Sequence, residues 1–64
     1  MGAIQREILT SVRACPVTAY GLAQDRREWF VSVNRLIFRG YLTRDQDKVL
    51  HITEAGIRAI ESRG

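Results

Sequence analysis

Nine of the ten basic residues in this 64-residue chain are arginines. Five of them, Arg26, Arg27, Arg35, Arg39 and Arg44, lie between Gln24 and Arg44 and are opposed there only by Asp25 and Glu28. That segment alone carries the whole chain's excess of positive charge, +3. A guanidinium is a planar fork of donors that matches a phosphate or the edge of guanine, which a lysine ammonium does not. The chemistry this segment suggests is recognition of an anion rather than the making of bonds; a merely solvated basic surface is the plainer alternative.

Other chemistry finds little footing. Cys15, the one cysteine, cannot form an internal disulfide, and with His51, the one histidine, it cannot complete a structural zinc site. Cys15 precedes Pro16 at the end of a helix and is expected to pack, and His51 falls on a strand and is expected at its surface or rim. No serine, cysteine or histidine pairing suggests a nucleophile with its base, and no glycine-rich phosphate loop is present, so no enzyme, metal or cofactor is expected. Forty-five per cent hydrophobic residues is ordinary for a soluble chain, and no run approaches the roughly 18 apolar residues of a membrane span. The N-terminal MGAIQREIL lacks a signal-peptide layout, and Arg6 stands where a myristoylation motif needs serine or threonine. These features lead us to expect one cytoplasmic domain over residues 1–64, with no membrane partner and too thin a core for an internal small-molecule pocket.

The elements that must carry the arginines follow from periodicity and punctuation. Ile4, Ile8, Leu9 and Val12 form one apolar stripe and predict a helix from about Ala3 to Ala14, stopped by Pro16. Val17 suits a very short strand, and Thr18 an N-cap for a helix from Ala19 to about Gln24, inside which Gly21 marks close packing or a bend. Asp25 and Glu28 match a capping box opening a third helix over about 26–39, closed by Gly40. Its core stripe is Trp29, Val33 and Leu36, flanked by Phe30 and Ile37; Arg27, Val31, Asn34, Arg35 and Phe38 share the opposite face. A hairpin over about 41–52 turns at Asp45-Gln46-Asp47-Lys48, and Thr53 caps a last helix from Glu54 to about Ser62, with Ile57 and Ile60 inward.

This order resembles the winged helix-turn-helix superfamily, especially the small MarR-like and ArsR-like transcription regulators of bacteria and archaea. Leu22-Ala23, Leu36 with Gly40-Tyr41-Leu42, and Ile52-Thr53-Glu54-Ala55-Gly56 carry the resemblance, which covers nearly the whole chain. The resemblance implies an α+β, mostly α fold: a three-helix core, a β-hairpin wing and a C-terminal helix. The span from Leu22 to Gly40, 18 positions, is about one helical turn shorter than in such regulators, and it leaves open whether Trp29 or Val33 takes the family's first buried position in the third helix.

The resemblance further implies double-stranded DNA as partner, with the third helix in the major groove and the wing against the backbone. Arg27, Asn34 and Arg35 are then the base readers, Arg26 and Arg39 the phosphate contacts, and Arg44 and Lys48 the wing contacts, with Asp45 and Asp47 opposing them. So short a chain is expected to act as a homodimer or a cooperative oligomer on DNA. Its size also suits an accessory factor of a mobile element. Val31 and Phe38 argue against this: an aliphatic group can touch a thymine methyl, so Val31 is tolerable, whereas Phe38 fits only if it turns under the wing. They support the alternative, a protein-interaction module using Tyr20, Val31 and Phe38 without DNA binding.

Overall fold

The computed structural model describes residues 2–24 and 26–62. They form, in order, α1 (Ala3–Ala14), β1 (Val17–Thr18), α2 (Ala19–Leu22), α3 (Glu28–Phe38), β2 (Leu42–Arg44), β3 (Val49–Ile52) and α4 (Glu54–Glu61). The result is a small, mostly helical α+β fold with one three-stranded antiparallel sheet, ordered β1-β3-β2. On one side of the central β3, Val17 and Thr18 pair with Leu50 and Val49. On the other, Leu42, Thr43 and Arg44 pair with Ile52, His51 and Leu50.

The core gathers the expected stripes. Ile8, Leu9 and Val12 of α1 meet Ala23, then Trp29, Val33 and Leu36 of α3, and are closed off by Leu42 and Leu50 of the sheet. Trp29 is the first buried residue of α3. Ile4 lies at the surface instead of completing its stripe. In α4 the half-buried Ala59 and Ile60 pack against the core, and Ile57 is half-buried as well. Cys15 is exposed, contrary to the expectation that it packs: the extended backbone that ends α1 turns it outward.

Both ends of the α2–α3 segment differ from the sequence reading. The second helix is a single turn ending at Leu22, and the third begins at Glu28, not near residue 26. Glu28 is thus the first helical residue and not the third, as a capping box requires; Asp25 lies outside the described residues. The cause is a run of tighter turns. The amides of Arg26, Trp29 and Phe30 bond carbonyls three residues back, on Ala23, Arg26 and Arg27, before α-helical spacing sets in. Gly21, where close backbone packing was one expectation, instead faces the side chains of Thr18 and Val17, and its amide donates to Thr18 Oγ1 at 3.0 Å.

The C-terminal end of α3 is sharply defined. The Tyr41 amide donates back to Leu36 O at 2.9 Å and the Gly40 amide to Ile37 O at 3.0 Å, while Gly40 takes φ +83°. This is the left-handed glycine stop that satisfies a helix's last carbonyls.

Thr53 ties that stop to the hairpin and to α4. Its hydroxyl donates to Gly40 O at 2.6 Å and accepts from the Gly56 amide at 3.1 Å. Its own amide donates to Tyr41 O at 3.0 Å. The buried Gly56 lies directly on the Tyr41 carbonyl, so the first turn of α4 sits against the α3–β2 junction with no room for a Cβ. The Thr53-Glu54-Ala55-Gly56 run thereby ties the start of α4 to the end of α3 and the start of β2.

Candidate nucleic-acid interface

The basic residues separate into two groups by what their side chains touch. Arg6 donates to Ile60 O at 2.8 Å, where a cation complements the end of α4. Arg13 pairs with Glu61 at 3.3 Å, and Arg58 with Glu54 at 2.6 Å one turn back. Arg26, expected to contact phosphate, instead lies over the Trp29 ring at 4.4 Å and reaches Glu7 at 3.7 Å, covering a tryptophan that is only 4% exposed. Among the described residues, Arg27, Arg35, Arg39, Arg44 and Lys48 are exposed and have no such partner. All five belong to α3, its two ends, or the hairpin.

These free cations frame two grooves. One runs along the outward face of α3 and is lined by Val31, Asn34, Arg35, Phe38 and Arg39. The other lies between α2 and the hairpin, where Arg44, Asp47 and Lys48 face Thr18, Ala19, Tyr20 and Phe30. Arg27 borders a further recess with Tyr20 and Phe30. Tyr20 is 77% exposed and meets Phe30 edge-on, with ring centroids 6.4 Å apart. Phe30 itself is half-buried against the core. Phe38 does not turn under the hairpin: it is 92% exposed, and Val31 is 57% exposed.

The hairpin tip is held by one carboxylate. Asp45 Oδ1 accepts from the amides of Asp47 at 2.8 Å and Val49 at 3.0 Å, and Oδ2 lies 2.8 Å from His51 Nε2. Asp45 is therefore engaged in the turn, where the sequence suggested only a charge repelling a phosphate backbone. The bond from His51, with the amides of Val49 and Asp47, holds the Asp45 carboxyl below the usual carboxylate range. A depressed acid stabilises the fold above its unfolded value and loses that contribution as pH falls through its folded value. Protection of the Asp47 and Val49 amides, taken relative to exchange of the unstructured chain at the same pH, is expected to hold down to about pH 4 and to fall on further acidification. An Asp45→Ala variant should have a loose tip at every pH, and unchanged protection in that variant would contradict the account.

Lys48 occupies the left-handed region, φ +64°, at the bulge that follows the turn closed by the Lys48 amide donating to Asp45 O at 3.0 Å. Glycine or asparagine is the usual occupant of such a position. Lys48→Gly is expected to raise stability by up to ~1 kcal/mol in urea titration, as relief of the backbone outweighs glycine's extra unfolded freedom. A lower midpoint would show the strain to be absent.

Compared with protein-family models, with curated proteins and with solved structures, the chain finds no match. Among the described residues no helix is long and apolar enough to cross a membrane. Sequence reasoning passed over Asp45 and His51 as a pair and Gly56 as a packing site. The alternation of β3, which places His51 on a strand face beside the turn, was the one available signal for the first.

Proposed function

We propose that this protein binds double-stranded DNA as a small winged helix-turn-helix regulator, with α3 in the major groove and the hairpin beside the backbone. The observation that carries the reading is the division of basic residues: those on α1 and α4 are engaged within the protein, while those on α3 and the hairpin are free. Free arginines on an exposed helix face suit an anionic partner such as the DNA backbone. The element order, with a short β1 pairing beside the hairpin's second strand, supports the winged-helix reading. Arg27, Asn34 and Arg35 serve as base readers, and Arg39, Arg44 and Lys48 as phosphate contacts. Arg26 leaves the proposed set, because Trp29 and Glu7 engage it. With so few contacts available, the protein acts as a homodimer or cooperatively, on half-sites about one DNA turn apart. Regulation of transcription, or an accessory role for a mobile element, is the setting.

A titration of the labelled protein with a duplex, followed by amide chemical shifts, tests this. Shifts should concentrate in residues 27–52 and spare the outer faces of α1 and α4. Shifts confined to α1 and α4 would overturn the reading.

The exposure of Tyr20, Val31 and Phe38 favours a second reading, a protein-interaction module without DNA binding. Under it, Phe38→Ala abolishes partner binding and leaves stability unchanged.

A further inference from the structure

Around α3, at about 100° per residue, Phe38 and Val31 lie at the centre of the outward face. Arg35 and Arg39 fall to one side of them, and Arg27 and Asn34 to the other. Phe38 and Val31 are seven residues apart, so they stand in line, separated by about 10.5 Å along the helix axis. Both are exposed, and both line the groove that contains Asn34, Arg35 and Arg39. An occupant of that groove must offer anions on its flanks and small apolar groups along its middle. A second copy of this chain fails the first condition, because Arg35 and Arg39 would meet their own kind.

Resting on the DNA reading above, we infer that Val31 and Phe38 are specificity-determining residues that read thymine C5-methyl groups on the floor of the major groove. The thymine methyl is the one apolar group that B-DNA presents there, flanked by phosphates and by base-edge acceptors. The separation of the two side chains corresponds to about three base pairs at 3.4 Å each, so the preferred site carries two thymines with that spacing. Asn34 and Arg35, which lie between them in sequence, face the intervening base edges.

Deoxyuridine differs from thymidine in this groove only by the missing methyl, and that makes the test direct. A preferred duplex is first selected from a randomised pool, and its thymines are then replaced by deoxyuridine one at a time. Two replacements about three base pairs apart should each weaken binding about fourfold, the worth of one buried methyl. Phe38→Ala should be insensitive to one of the two and Val31→Ala to the other; both residues are exposed, so both variants should fold. Equal affinity for the thymine and fully deoxyuridine duplexes, with salt-dependent binding retained, would overturn the inference and leave the DNA reading standing. Failure of selection to yield a preferred site would also overturn it. Absence of duplex binding at any salt would overturn both together.

Discussion

Replacing Gly56 with alanine is expected to remove roughly 3 kcal/mol of stability, the upper range for a forced methyl in a packed site. The added Cβ would collide with the Tyr41 carbonyl oxygen and come within 2.7 Å of Ile52 Cγ1. Neither neighbour can retreat cheaply. Tyr41 O accepts from the Thr53 amide at 3.0 Å, and Ile52 is tied to Leu42 in the sheet. A domain of this size has a stability on the order of 5 kcal/mol, so the loss is a large share of the whole. Gly40→Ala provides the contrast: nothing lies within 4 Å of its Cβ, and only φ +83° opposes the substitution. It should lose about 1 kcal/mol. Urea titrations of the two variants check the order, and a Gly56→Ala protein as stable as Gly40→Ala would refute the close contact.

The second large effect concerns affinity. An Arg35→Ala/Arg39→Ala protein is expected to fold as well as the parent, because both side chains are exposed and have no partner among the described residues. It should bind its preferred duplex about 30-fold or more weakly, given about 1–3 kcal/mol for an arginine that reads a base or holds a phosphate. Arg13→Ala/Arg58→Ala removes the same charge from residues paired with Glu61 and Glu54 and should change affinity by about twofold or less. Fluorescence anisotropy on the two proteins decides between a local surface and a general effect of charge. Equal losses would mean that only net charge matters.

What could be read from the sequence was local. The bounds of α1, the stop at Pro16, the caps at Thr18 and Thr53 and the left-handed stop at Gly40 are each set by residues near one another in the chain, and each stands where expected. The misses are tertiary. Arg26 was expected on a phosphate, but it lies over the Trp29 ring and reaches Glu7 of α1, and nothing in a run of two arginines announces that contact. The late start of α3 follows from the tight turns at residues 26–30, which compete with a capping signal that looked sufficient. Gly56 stood only as the last residue of the Ile52–Gly56 run, although its reason is a carbonyl 15 positions earlier in the chain, on Tyr41. The outward face of α3 was legible as a list of residues, whereas the exposure of Phe38 depended on where the hairpin lies.

Binding of the unaltered protein to a fluorescent duplex of random sequence, measured across a series of salt concentrations, tests the central claim most directly. Five free cations on α3 and the hairpin predict micromolar or weaker non-specific binding, with log K falling against log salt at a slope of about −3 to −5. No binding even at low salt, or binding indifferent to salt, would contradict the account.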